Sequence, residues 1–195
     1  MTQPILSTLV WHQVLQHMAD PVRALREMRR VAKPGGIVAC RESASMTWYP
    51  PSEGIDAWWA LSNRVSHARG CNPHSGSYIH AWTEKAGFEK TEIAKSAGTW
   101  CFSSPEERAY WGGSMAESSG FVNVAVEEGF ATREEIEKTV EGWKRFVEDE
   151  SGWYAVLHGE IVCTKQNHRS NVNHHHIMSL SVKSAMSTEF LTPGR

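Results

Sequence analysis

No stretch of this 195-residue sequence approaches the roughly 20 consecutive apolar residues that a membrane-crossing helix requires. The amino-terminal MTQPILSTLVWHQ places no basic residue ahead of its apolar run and offers no small-residue cleavage site, so a secretory leader is not expected. Charge of one sign is lacking too. The formal net charge is -2, which removes the case for a nucleic-acid binder or a polybasic membrane surface. Cysteine is scarce: Cys40, Cys71, Cys101 and Cys163 lie far apart without paired spacing. Three of them sit in apolar strand-like settings, which predicts buried, reduced thiols in a cytoplasmic protein. No P-loop, zinc pattern or Ser-His-Asp arrangement stands out, no G-x-G-x-G follows an apolar run, and no internal repeat is present.

What is there suffices for one sizeable core with appendages. Residues 9–42, LVWHQVLQHMADPVRALREMRRVAKPGGIVACRE, carry the strongest pattern. Leu9, Val10 and Trp11 close an apolar run from Ile5, short enough for a buried strand. Asp20 is a helix N-cap and Pro21 suits the first helical position. Val22, Leu25, Met28, Val31 and Ala32 recur at three- and four-residue steps, with Arg23, Arg26, Glu27 and Arg30 largely opposite. Lys33 favours the negative end of that helix, Pro34 cannot continue it, and Gly35-Gly36 turns the chain. Residues 37–40 are apolar again, completing a strand-helix-strand unit that predicts a parallel pair.

The string HQVLQHMADPVRALREMRRVAKPGGIVACRE, with its R-V-x-K-P-G-G ending, resembles the second half of the nucleotide-binding core of class I S-adenosylmethionine-dependent methyltransferases. It is most similar to the ubiquinone/menaquinone-biosynthesis type, where this unit is the fourth strand, the helix after it and the fifth strand. The resemblance extends to about Lys165. It implies an α/β fold that keeps strands 4-5-7-6 of the family order 3-2-1-4-5-7-6. Residues 1–165 would then be the C-terminal part of a methyltransferase domain, with flanking helices and a helical cap insertion over about 45–80. The family's first three strands and its glycine-rich turn would be missing. That leaves the first strand as an exposed apolar edge, open to a homodimer contact or a partner chain.

Downstream, SASMTWYPPSEG reads as a loop, since Pro50-Pro51 blocks helix. A helix with a broad apolar face (Ile55, Trp58, Trp59, Leu61, Val65) follows to Ala68, and residues 78–86 form another, stopped by Gly87. Residues 88–93 alternate like a half-exposed strand, and residues 99–102 make a second strand-like piece. Ser104-Pro105-Glu106-Glu107 starts a helix to Glu117, and residues 121–128 suggest a short one. Thr132 and Glu135 form a capping-box pattern opening an amphipathic helix to about Glu148. Residues 153–164 read as the last strand, antiparallel by resemblance. Residues 166–195 turn Ser/Asn/His-rich without periodicity, predicting a disordered or weakly ordered tail. Its His168 and His174, His175 and His176 lack partner ligands at metal spacing, so no metal is expected.

The resemblance places Trp11, His12 and Gln13 at the carboxyl edge of the sheet, facing S-adenosylmethionine, with His17 nearer the acceptor. His12 or His17 would serve as general base. The alternative is that Val14, Leu15 and Met18 form a helical turn that the histidines merely cap. Arg41 and Glu42, past the next strand, would border the acceptor, or else form a surface ion pair. Trp48 and Tyr49 suit a flat or prenylated acceptor, while core packing is the competing account for a chain with nine tryptophans. His158 and Glu160 share one strand face, too little for a metal site. The implied activity is methyl transfer to a small aromatic or isoprenoid metabolite in a biosynthetic pathway. The other expectation is a non-catalytic, truncated homologue that lacks the cofactor-binding turn.

Overall fold

The computed structural model describes residues 5–117 and 119–166. Strand β1, Leu6–His12, leads through a single 3-10 turn into helix α1, Pro21–Val31. The Asp20 carboxylate accepts the Arg23 N–H at 2.8 Å, and the apolar stripe seats Leu25 and Met28 in the core. The other end of α1 is closed by Lys165, not Lys33. Its Nζ donates to the Arg29 and Ala32 carbonyls, 2.8 Å each, while Lys33 is exposed.

Strand β2, Ala32–Tyr49, pairs parallel with β1, as the strand-helix-strand pattern predicts. The Lys-Pro-Gly-Gly turn survives as an irregularity: register jumps from Leu6 opposite Ala32 to Thr8 opposite Ile37. Gly35 takes φ +77 there and donates its N–H to the Lys165 carbonyl at 2.7 Å. The chain then forms α2 (Glu53–Ala68), α3 (Ile79–Lys85), β3 (Ile93–Phe102), α4 (Pro105–Glu117), α5 (Ser119–Glu127), α6 (Arg133–Glu148) and β4 (Trp153–Thr164). The sheet order is β1-β2-β4-β3, with β4 antiparallel to both neighbours. This is the α/β arrangement expected, in the 4-5-7-6 sense.

One sheet face carries Val38, Cys40, Ile161, Cys163 and Ile93 beneath Leu25 and Met28 of α1 and Ile79 of α3. The other face, toward the distal end of β2 and β4, packs Tyr154 and Val156 against Trp58, Trp143 and Phe146 from α2 and α6. Between these lies the stretch of sheet that holds the site. The outer edge of β1 has no strand partner among the described residues, and Ile5 and Val10 there are 67% and 52% exposed. No described helix is long and apolar enough to cross a membrane.

Three expectations need correction, and a fourth lies outside the described residues. The Ser/Pro-rich loop begins only after Tyr49, because residues 45–49 find partners along β4 and continue β2 past a bulge between Ser43 and Ser45. Helix α2 starts at Glu53 behind the Ser52 cap, where the sequence suggests a fresh helix start. Of residues 88–93, only Ile93 belongs to a strand, as the first residue of β3. Phe88 is buried in the core, and Lys90–Glu92 forms a 3-10 turn whose Glu92 carboxylate accepts the N–H groups of Glu89 (2.7 Å) and Gln166 (2.6 Å). One continuous β3 replaces the two strand pieces. Cys101 is exposed on β3, whereas Cys40 and Cys163 are buried. The His/Ser-rich tail lies outside the described residues.

Candidate functional site

The site starts where β1 ends. Gln13 takes φ +51, an uncommon value for a residue with a Cβ, and its N–H donates to the Arg41 carbonyl at 2.8 Å. The next three N–H groups turn inward onto one carboxylate. Val14 and Leu15 donate to Glu42 Oε1 at 3.0 and 2.9 Å, and Gln16 to Oε2 at 3.1 Å. Glu42 has no solvent exposure. Burial raises its pKa above the ordinary range, and the three backbone bonds pull against that shift. Glu42 thus shapes the turn that follows His12 and Gln13. It forms no surface ion pair, and its carboxylate faces the turn.

On the opposite sheet face, one row of polar side chains crosses all four strands. His12 pairs with Arg41, Arg41 with Glu160, and Glu160 with Ser96. Arg41 Nε lies 3.3 Å from Glu160 Oε1, and Ser96 Oγ donates to Glu160 Oε2 at 2.8 Å. The guanidinium also sits 5.1 Å from the Trp100 ring centroid. One step along β4, the fully buried His158 lies beside Trp100, centroids 4.7 Å apart, and Trp100 meets the His12 ring at the same 4.7 Å. Trp111 of α4 closes the aromatic side, 6.3 Å from Trp100.

His158 joins the strands through both ring nitrogens. Gln13 Nε2 is 3.0 Å from His158 Nε2, and Arg41 Nη2 is 3.4 Å from Nδ1. Arg41 can only donate, so Nδ1 accepts from its Nη2 and the ring proton sits on Nε2, toward the Gln13 carboxamide. Burial, then the charges of Arg41 and His12, push the His158 pKa down to about 4. Burial and Arg41 lower that of His12 as well. Both rings are neutral at physiological pH, and neutral His12 at the sheet edge has the chemistry of a proton acceptor. Arg41 is balanced by Glu160.

The structure brings His12, Gln13 and Arg41 together. Trp11 points through the other face into the core beneath α1. His17 is exposed and hydrogen-bonds Gln16 at 3.1 Å, outside the cluster. Trp48 and Tyr49 lie at the distal end of β2, roughly 20 Å along the strand from Glu42. There Trp48 packs on the Trp143 core and Tyr49 is 49% exposed. Sequence reasoning missed Trp100 and Ser96 and dismissed His158 and Glu160. The usable signal was the alternation in His158-Gly159-Glu160 on a strand.

The fit to S-adenosylmethionine is partial. Gln13 and neutral His12 suit its sulfonium side, because neither repels a cation. The N–H groups of Val14, Leu15 and Gln16, which a carboxylate of the ligand would need, are already engaged by Glu42.

Residues 8–93 match a family described as methyltransferase domain. This stretch includes His12, Gln13, Arg41 and Glu42 but stops before Trp100, His158 and Glu160. Over 158 residues the chain is 34% identical to an uncharacterized methyltransferase of Schizosaccharomyces pombe, covering 80% of this chain and 56% of the relative. Over 154 residues it is 32% identical to "Probable methyltransferase ltbC" of Aspergillus luteorubrus, covering 74% of this chain and 54% of the relative. The chain spans about half the length of the curated relatives it matches. Among solved structures, Haemonchus contortus phosphoethanolamine N-methyltransferase 2, in complex with phosphomonomethylethanolamine and S-adenosylhomocysteine, aligns over 85% of this chain and 34% of its own at 16% identity and a TM-score of 0.41.

Proposed function

We propose that this chain is the acceptor-side half of an S-adenosylmethionine-dependent methyltransferase domain of the ubiquinone/menaquinone-biosynthesis type, acting in the cytoplasm on a small aromatic or isoprenoid metabolite in a biosynthetic pathway. The observation that carries this reading is the family match over residues 8–93, which includes the turn presenting His12 and Gln13 at the carboxyl edge of a parallel strand pair. Two relatives named as methyltransferases support it.

In this reading S-adenosylmethionine, when bound, supplies the methyl group, and this chain's residues orient and accept. His12, held neutral by burial and Arg41, takes the acceptor's proton. Gln13 lines the cofactor side, and Trp100 and Trp111 wall off water and offer flat faces to an aromatic acceptor. Alignment of acceptor and methyl donor does most of the catalytic work.

A second reading is favoured by the engagement of the Val14, Leu15 and Gln16 N–H groups by Glu42 and by the open edge of β1. Here the chain holds no cofactor alone and acts beside further polypeptide, a second copy or a partner chain, paired along β1. Calorimetric titration with S-adenosylmethionine and S-adenosylhomocysteine separates the two. Heat that weakens in His12→Ala and Gln13→Ala supports the first reading. No heat at near-millimolar ligand overturns it as a stand-alone activity and selects the second.

A further inference from the structure

Trp100 is rooted on β3 at one edge of the sheet, yet its ring meets that of His12, on β1 at the other edge, at 4.7 Å. A ring laid back across the intervening strands has to be held there. Two polar groups of those strands meet it on the way: the His158 ring of β4 at 4.7 Å, and the Arg41 guanidinium of β2, 5.1 Å from the indole centroid. Arg41 is in turn placed by Glu160, which lies beyond the residues of the family match and has no part in the chemistry assigned to His12. We propose that Glu160 is a positioning residue for His12. Tethered by Ser96, it holds Arg41 against Trp100, and so holds Trp100 against the His12 ring.

The Glu160 carboxylate is held at both oxygens. Oε1 lies 3.3 Å from Arg41 Nε, and Oε2 accepts from Ser96 Oγ at 2.8 Å. Gly98 stands between Ser96 and Trp100 on the same face of β3 and leaves the room, since a Cβ there would overlap Oε1. Stability alone does not account for the pair. The Arg41 and Glu160 side chains are only 16% and 10% exposed, and an ion pair so far out of water contributes little over apolar residues of the same volume. What it supplies is a fixed place for a long, charged side chain, which an aromatic face then shares. Among the described residues, the charged or titratable groups facing His12 are Arg41 from β2 and Glu160 and His158 from β4, while β3 contributes Trp100. Arg41 opposes a proton on His12 and Glu160 favours one. With Glu160 in place the two charges offset, and His12 keeps the proton affinity that a base requires. Without it, Arg41 acts on His12 unopposed and is free to leave Trp100.

The value of this arrangement to methyl transfer rests on the reading of His12 as proton acceptor, but its test needs no ligand. In the full chain, the NMR signal of the His12 ring protons is assigned by its loss in His12→Ala, and Trp100→Leu gives its position without the neighbouring indole. Glu160→Gln keeps the size of the side chain and removes its charge. It is expected to shift the His12 signal toward the Trp100→Leu position and to lower the pH midpoint at which His12 titrates. Glu160→Asp keeps the charge, so its midpoint should stay nearer to wild type than that of Glu160→Gln. In a folded Glu160→Gln, an unmoved ring signal or an unmoved midpoint overturns the proposal, and so do equal midpoints in the two variants, which make Glu160 plain core. If Glu160→Gln does not fold, Ser96→Ala decides, because it removes one tether and leaves the charge: the ring signal should shift in the same direction, and an unmoved signal overturns the proposal. Calorimetry of wild type with S-adenosylhomocysteine is a separate arm. Absence of heat there overturns the cofactor reading, and the His12 signals still decide the role of Glu160.

Discussion

Gly159 of β4 lies against the backbone of Gly76, so close that a Cβ on Gly159 would overlap the Gly76 carbonyl and a Cβ on Gly76 would overlap the Glu42 carbonyl. The contact seats the 3-10 turn Ser75–Ser77 against the sheet between Glu42 and the strand residues His158 and Glu160. Overlap with backbone cannot be relieved by a rotamer change, so Gly159→Ala is expected to cost about 2 kcal/mol or more. Gly113, in helix α4 with nothing near its would-be Cβ, is the contrast: Gly113→Ala should gain up to about 1 kcal/mol from helix propensity. Urea unfolding of the two variants tests the pair, and the same sign for both would refute the packing argument.

Gly98 offers a softer case. An added Cβ there meets the Glu160 carboxylate and comes within 3.2 Å of Arg41 Nη2, both ends of flexible side chains. Gly98→Ala should therefore cost under about 1.5 kcal/mol, the chain absorbing it by moving the Glu160 carboxylate off Arg41. The signature is in the ion pair: Arg41 Nε–H exchange should accelerate in the variant, and unchanged exchange would show that Glu160 did not move.

Glu42 is a buried carboxylate whose partners are all backbone. Glu42→Gln keeps the shape but turns an NH2 toward donors that need an acceptor, and should cost about 1–3 kcal/mol. Loss is expected locally first, as faster amide exchange at Leu15 and Gln16 before global unfolding. Native-state hydrogen exchange would detect this. Unaltered protection at both amides would mean that the turn is held by something other than the carboxylate.

Local signals carried much of this architecture. The stripe of Leu25 and Met28, the Asp20 cap and the Thr132–Glu135 capping box act within one or two helical turns, and α1 and α6 stand where these residues put them. What escaped depends on distant partners. Residues 45–49 look like loop until β4 supplies a ladder, and the cap on α1 comes from Lys165, 136 residues from Arg29. The same holds for the site. Arg41 and His158 are 117 residues apart, and nothing near either one in sequence says they meet. Glu42 reads as the border of an acceptor pocket or as half of a surface ion pair, because a charge in sequence gives no sign of burial. Only the turn of Val14, Leu15 and Gln16 makes its burial affordable.

The histidine pair ties stability to pH. His158, with its pKa at about 4 in the fold against an ordinary 6.5, binds fewer protons folded than unfolded, so unfolding takes protons up. Its contribution is complete above pH 6.5 and is lost as pH falls toward 4. About 2 kcal/mol of that loss should fall between pH 7 and pH 5. His12, also lowered, acts in the same direction. Urea unfolding at the two pH values, in wild type and in His158→Leu, isolates the effect, because every other titrating group is common to both proteins. Wild type should weaken more steeply on acidification than the variant. Parallel declines would mean that His158 is solvated or protonated in the folded protein, and the neutral ring between Gln13 and Arg41 would have to be abandoned.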